Sequence, residues 1–208
     1  MNIIGNNCCS GWLYKEFHLQ FSNPFVWMVL PYNSILYLLS NFNKVKWNRV
    51  KMVESQHRKN TYVLTVDNEI QIHYVHYKFD PTATHLVVNR DDYQRSHAEI
   101  SRSNRGGDVY YCRIWEYIYD KYKERVARML ELNEPPMFLI KDELYMNPDQ
   151  SVLRKIAECS SPYKRIVITA NTNITRDDDV VKTIHYTVKD TYKTVIDNMD
   201  SVKMFFNI

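Results

Sequence analysis

A thiol, an imidazole and a carboxylate occur along this chain in the order Cys8, His76, Asp142. Covalent acyl chemistry uses these three types: a sulfur that attacks, a base that takes its proton, and an acid that orients the base. Cys8 stands in Ile3-Ile4-Gly5-Asn6-Asn7-Cys8-Cys9-Ser10-Gly11-Trp12-Leu13-Tyr14, which reads as a short strand, a polar turn and a helix. A helix N-terminus carries unpaired N–H groups and partial positive charge. A cysteine there is drawn toward thiolate, the reactive form; the competing reading is a small buried hydrophobe. Cys9 points about 100° away in a helix and reads as packing. Asn6 and Asn7 either donate to an oxyanion or make the turn.

The histidines come from an alternating stretch, residues 69–79. Alternation puts Ile70, Ile72, Tyr74 and His76 on one face and Gln71, His73, Val75 and Tyr77 on the other. In a regular strand His73 and His76 cannot both face one site. His76 is either a general base or a satisfied core histidine. Asp142 follows an apolar run within Lys141-Asp142-Glu143 and either orients His76 or caps a loop. Arg125 and Arg128, with Lys121 and Lys123, could hold phosphate or carboxylate groups; the alternative is a solvated helix face. Trp115 reads as core, with sugar stacking as the alternative. Tyr77 and Lys78 complete the binding candidates. The other histidines, His18, His57, His85, His97 and His185, show no ligand spacing.

The elements that must position these residues follow from periodicity. Residues 10–17 read as a helix and 21–25 as a turn around Pro24. Asn33 is the expected cap of a helix to Leu39. Residues 44–59 read as mixed strand and loop. Residues 61–66 and 69–79, joined at Asp67-Asn68, form the expected β-hairpin. Residues 109–132 read as one long helix striped by Ile114, Trp115, Ile118, Tyr122, Val126, Met129 and Leu130. Apolar strands are expected at 137–140 and 165–170, a helix from Pro148 to about Glu158, a strand at 183–188, and a final helix after Asp190. The whole reads as α/β: a single domain over residues 1–208, a mostly parallel sheet flanked by helices, and a hairpin excursion. In such sheets ligands gather beyond the carboxyl ends of the strands. Asn6-Asn7-Cys8, Lys141-Asp142-Glu143 and Asn171-Thr172-Asn173 are expected there.

Composition narrows the function classes. The 208 residues are 45% apolar, enough for one good core. A formal charge of +3 does not call for a polyanion, and nucleic acid is not an expected partner. Four glycines argue against a Gly-rich phosphate loop. Sixteen tyrosines suit either a wet groove or ordinary sheet faces. Cys8, Cys9, Cys112 and Cys159 contain no CxxC pair, so neither a structural zinc nor a disulfide framework is expected, and no metal or other cofactor is implied. No basic-then-apolar leader is visible. The run from Phe25 to Leu30 is far short of the roughly 20 residues that span a bilayer. The expectation is a cytoplasmic protein without stable membrane insertion.

Several of these pieces together resemble a bacterial family of unknown function labelled exopolysaccharide-biosynthesis proteins. They are Ile4-Gly5-Asn6-Asn7-Cys8 with Gly11 and Tyr14, Ser22-Asn23-Pro24-Phe25, the stretch from Glu69 to Lys78, the helix bearing Trp115, Tyr122, Arg125 and Arg128, the strand before Asp142, and the strand from Arg165. The resemblance implies a place in surface-polysaccharide assembly. The first segment is also similar to predicted papain-like cysteine peptidases, through Asn-Cys and Ser22-Asn23-Pro24-Phe25-Val26-Trp27. That likeness implies Cys8 as nucleophile and a downstream histidine as base. The leading expectation is thus thiol-dependent acyl transfer or hydrolysis in surface-polysaccharide biosynthesis. A glycosyltransferase using a nucleotide sugar and a non-enzymatic glycan- or anion-binding module stand beside it. The expected partner is a carbohydrate or nucleotide-sugar-like small molecule.

Overall fold

A computed structural model describes residues 1–7, 9–54, 62–73, 77–79, 85–89, 109–142, 150–186 and 195–208. Its centre is a four-stranded parallel sheet in the order β1 (Ile3–Gly5), β8 (Met137–Lys141), β9 (Arg165–Thr169), β10 (Val181–His185). The strands alternate in a way that explains their continuous apolar character. Ile4, Phe138, Ile140 and Val167 join one buried cluster, whereas Ile3, Leu139, Ile166, Ile168 and Ile184 join a second. Successive residues of a strand point to opposite faces. A strand covered on both faces therefore needs an apolar residue at every position. Each such side chain contributes roughly 1.5–3 kcal/mol on burial.

Helices supply the two covers. On the first face lie α2 (Tyr32–Asn41), α3 (Ile114–Leu132) and α4 (Gln150–Glu158). Their buried residues include Ile35, Leu38 and Leu39, then Ile118, Tyr122, Val126 and Met129, then Val152, Leu153, Ile156 and Ala157. On the second face lie α1 (Cys9–Glu16) through Leu13 and Tyr14, and α5 (Met199–Phe206) through Val202 and Phe206. Helix α2 begins at Tyr32 after Pro31, with no side-chain cap, so Asn33 is not the cap that its type suggested. Pro31 has the φ of −59° that its ring imposes, and the first turn closes by Ser34 N–H to the Pro31 carbonyl.

Two antiparallel sheets complete the fold: β2 (Val50–Glu54), β3 (Tyr62–Val66) and β4 (Ile70–His73), and β5 (Tyr77–Phe79), β6 (His85–Asn89) and β7 (Val109–Arg113). The β3–β4 turn closes through Glu69 N–H to Val66 O at 3.1 Å, with Asp67 at φ 51° and Asn68 at φ 62°. Asn and Asp tolerate that left-handed backbone better than most residues. The expected alternation holds where it is described: Ile70 and Ile72 are buried, Gln71 is exposed and His73 is half-buried.

Four further expectations are corrected. Residues 77–79 do not prolong the hairpin's own ladder but pair with β6. Residues 109–113 are a strand, and the long helix starts at Ile114. The run Val109-Tyr110-Tyr111-Cys112-Arg113 is rich in strand formers, and its backbone pairs with β6. The last strand of the parallel sheet is Val181–His185, earlier than 183–188. Leu130, expected on the apolar stripe of α3, is 54% exposed; Arg125 is buried instead.

The amino ends of the sheet are fastened by polar side chains that bond to backbone. Arg165 is fully buried, and its guanidinium donates to the carbonyls of Ile156, Ala157, Cys159, Ser161 and Tyr163. It caps the C-terminus of α4, where carbonyls lack helical partners and the dipole favours a cation. At β1, Tyr14 Oη accepts from Ile3 N–H at 3.0 Å and from Asn23 Nδ2 at 3.0 Å. Tyr14 Oη also lies 2.7 Å from Ser22 Oγ, which donates to the Met1 carbonyl at 2.6 Å. Asn23 Nδ2 reaches the Ile3 carbonyl as well, at 2.9 Å. These groups cover the open side of an edge strand that would otherwise present bare N–H and C=O groups. Burial raises the Tyr14 phenol above its ordinary range, and its hydrogen bonds offset part of that.

Candidate functional site

The carboxyl ends of β1, β8 and β9 bring together the three polar segments expected there. At β1, the Asn6 side chain acts as one further rung of the ladder. Its Nδ2 donates to Lys141 O at 2.8 Å, and its Oδ1 accepts from Lys141 N–H at 2.8 Å. Both ends of that amide are engaged by backbone. Tyr32 Oη donates to the same Lys141 carbonyl at 2.8 Å.

Asp142, one residue beyond β8, is 5% exposed and accepts at both carboxylate oxygens. Thr169 Oγ1 donates to Oδ2 at 3.0 Å, and Gln150 Nε2 donates to Oδ1 at 2.9 Å. The direction of this network is set from outside. The Asn173 N–H can only donate, so Asn171 Oδ1 must accept it, at 3.0 Å. Asn171 Nδ2 then faces Gln150 Oε1 at 3.2 Å, which leaves the Gln150 amide hydrogens for Asp142. Asn171 N–H likewise occupies a lone pair of Thr169 Oγ1 at 3.0 Å, and the hydroxyl proton goes to the carboxylate. Gln150 opens α4, so the carboxylate also meets the positive end of that helix. Tyr186 closes the rim, its hydroxyl 3.3 Å from the Asp142 carbonyl oxygen and its ring 5.9 Å from Lys141 Nζ.

The β1–α1 turn lies beside this rim. Cys8 falls between Asn7 and the first residue of α1 in the chain, and both Cys8 and His76 lie outside the described residues. Asn7 is 6% exposed. Gly5 is required by contact: a Cβ there would stand 2.9 Å from Ser10 Oγ and 3.0 Å from the Asn7 carbonyl oxygen. The segment Val29-Leu30 stitches the turn to the hairpin. Leu30 N–H donates to Asn6 O at 3.0 Å, while Val29 and His73 exchange backbone bonds of 3.2 and 2.9 Å. The end of β4 at His73 therefore lies one segment away from Asn6.

The arginines of α3 act inward. Arg125 is 6% exposed, and its Nη1 donates to Val26 O at 3.2 Å. Arg128 Nη1 donates to Phe21 O at 3.2 Å and its Nη2 pairs with Glu124. Lys121 pairs with Glu124 and Lys123 with Asp120, on the outer side of the helix. Arg125 grips the middle of a turn closed by Met28 N–H to Phe25 O at 3.0 Å. Trp27 is the third residue of that turn, at φ 63°, a position that ordinarily calls for glycine. Backbone of this kind costs on the order of 1–3 kcal/mol and persists only where its surroundings hold it. Its indole lies against Gly11 of α1, where a Cβ would come within 2.5 Å of the ring carbons. The side chains of Tyr77, Lys78 and Trp115 lie outside the described residues, although their backbones belong to β5 and α3.

Thr169, Gln150, Tyr32 and Tyr186 join the candidate site through their bonds to Lys141 and Asp142, and the sequence reading passed over them. Thr169 carried the clearest signal, as the one hydroxyl at the end of the apolar run Ile166-Val167-Ile168. Gln150 has no such signature, because only the return of α4 brings it back over β8.

Residues 1–96 match a family described as a domain of unknown function, DUF1919. That region holds the β1–α1 turn, the Trp27 turn and the β2–β4 sheet, whereas Asp142 and its partners lie beyond it. No curated protein matches the chain. No helix among the described residues is long and apolar enough to cross a membrane, and none of them form a His/Cys/Asp/Glu cluster able to hold a metal ion.

Proposed function

We propose that this protein is a thiol enzyme of surface-polysaccharide biosynthesis that transfers or hydrolyses an acyl group at the carboxyl rim of its parallel sheet. The observation that carries this reading is the stitch through Val29-Leu30, which ties the chain just before Cys8 to the strand that supplies His73 and leads to His76. Cys8 attacks the acyl carbonyl and loses its proton to the imidazole of His76, with His73 as the other candidate base. The tetrahedral intermediate expels its leaving group, which takes that proton, and a thioester remains on sulfur. Water or an acceptor hydroxyl then attacks the thioester, its proton passes to the imidazole, and the thiol is released. Asp142 orients the base, its carboxylate fixed by Thr169 and Gln150. The exopolysaccharide-family resemblance supports the pathway, and the segment shared with cysteine peptidases supports the nucleophile.

Alkylation by iodoacetamide between pH 5 and 9 tests this reading. Cys159 is the internal reference: a free, half-buried thiol whose Sγ lies 3.4 Å from the Ile156 carbonyl oxygen. Cys8 is expected to react about tenfold faster than Cys159 below pH 7, as an activated thiolate does. His76→Ala should abolish that advantage, or His73→Ala should if that ring is the base. Equal rates for Cys8 and Cys159 in the unaltered protein would overturn the proposal.

The polar rim also favours a second reading, glycosyl transfer from a nucleotide sugar, because open parallel sheets bind nucleotides at this end. A rise in melting temperature with a nucleoside diphosphate, together with an unreactive Cys8, would select it.

A further inference from the structure

From the cleft beside Trp27 we infer that the protein has a saccharide subsite on the flank of α1, built to hold one neutral pyranose ring. The sugar class rests on the reading above; the site itself rests on geometry. The cleft has a volume of about 330 Å³ and is lined by Trp12, Lys15, Glu16, Trp27, Ile196 and Met199. That is the lower end of the range for small-molecule pockets, enough for a single ring and too little for a nucleotide. The half-exposed indole of Trp12 and the buried indole of Trp27 both line the cleft, and a pyranose presents one face of C–H bonds to an exposed indole. Lys15 and Glu16 are exposed at the mouth, a donor and an acceptor for ring hydroxyls. Their charges cancel, which favours a neutral sugar over a phosphate or a uronic acid.

The local build holds the Trp27 indole in one place at the back of the cleft. A large side chain occupies the glycine position of a turn, Arg125 holds that turn from behind, and Gly11 leaves room for the indole. Trp27 is 8% exposed and packs with Leu13, Val195 and Val202, so these provisions fix the indole as the inner wall of the cleft. Trp12, Lys15 and Glu16 lie at positions i, i+3 and i+4 of α1 and share a face. Trp12 is three residues into the helix from Cys9, about 4.5 Å along its axis. Lys15 and Glu16 lie further on, so a sugar held here sits roughly 5–10 Å along the axis from the first residue of α1, within the span of an acylated saccharide.

Saturation-transfer NMR on the full chain tests the inference, with the methyl glycosides of glucose, galactose, mannose and N-acetylglucosamine as probes. Transfer to at least one glycoside is expected in the unaltered protein and in Cys8→Ala. Trp12→Ala should abolish it, and Trp27→Phe should weaken it severalfold, with circular dichroism confirming that both variants fold. If Trp27→Phe does not fold, Trp12→Ala, at a half-exposed position, still decides. No transfer to any glycoside, or equal transfer in Trp12→Ala, overturns the subsite. The two readings fail separately. Sugar transfer with an unreactive Cys8 removes only the thiol chemistry, and a hyper-reactive Cys8 without sugar transfer removes only the subsite.

Discussion

The two ends of the parallel sheet use polar side chains in opposite ways. At the amino end, Arg165 bonds to five carbonyls, and Tyr14, Ser22 and Asn23 bond chiefly to the backbone of β1 and to one another. At the carboxyl end, Asp142 is held by Thr169 and Gln150, and Gln150 by Asn171, through side-chain pairs. Bonds to backbone fix the path of the chain, and removing them costs stability directly. A carboxylate held by other side chains keeps its position while the fold depends on it less. The contrast marks the amino end as scaffold and makes the carboxyl end the end at which the proposed chemistry is to be tested. Asn6, Tyr32 and Tyr186 belong to the scaffold by this criterion, although they sit at the carboxyl end.

Substitutions at the two ends should separate accordingly. The largest effect is expected for Arg165→Ala, which strips donors from the end of α4 and empties a buried volume: a loss of at least about 3 kcal/mol in urea unfolding. A loss under about 1 kcal/mol would erase the distinction between the two ends, since most surface changes stay that small. Tyr14→Phe should cost about 1–2 kcal/mol by leaving Ile3 N–H and Asn23 without their acceptor, and should leave Cys8 alkylation unchanged. Asp142→Asn sharpens the contrast from the other side. Its unfolding cost should stay near about 1 kcal/mol, while Cys8 alkylation slows by about tenfold or more if the carboxylate orients the base. A stability loss equal to that of Arg165→Ala, with alkylation untouched, would move Asp142 into the scaffold.

The smallest expected effect concerns acid. Asp178 accepts from Arg176 Nε and from the N–H groups of Val180 and Val181, which hold its carboxyl down at about 2 against an ordinary 3.8. A depressed folded-state value means that the stabilisation is complete above pH about 4 and is lost as pH falls through about 2. The pair is exposed, so salt should weaken it. Asp178→Asn should flatten this part of the urea-midpoint curve between pH 5 and pH 2. An unchanged acid limb in the variant would assign it to other carboxylates.

The parallel sheet was readable in the sequence because strands covered on both faces need an unbroken apolar run, and Met137–Ile140 and Ile166–Ile168 are such runs. Its carboxyl rim was readable from the polar triplets that follow them. The strand at 109–113 was hidden because the helical stripe that starts at Ile114 extends naturally backward over it. Arg125 and Arg128 read either as ligand-binding cations or as a solvated helix face, because local spacing cannot reveal that the loop at residues 21–28 offers them bare carbonyls. The Asp142 network was half legible. Its acid and Asn171 stand at strand ends, while Gln150 enters only through the return of α4. The unusual backbone at Trp27 left no trace in composition, since a turn that accepts tryptophan in place of glycine depends on Arg125, far along the chain.

The pairing of β1 with β8 has a consequence for synthesis. Ile3, Ile4 and Gly5 find their strand partners at Met137, Phe138 and Leu139. A ribosome adding about 5–20 residues per second emits the first strand on the order of ten seconds before its neighbour exists. During that interval the nascent strand has only the local partners Tyr14 and Asn23 for its outer edge, and its inner edge must be shielded by a chaperone or by transient contacts. A fragment ending near residue 96 would carry that orphaned strand permanently.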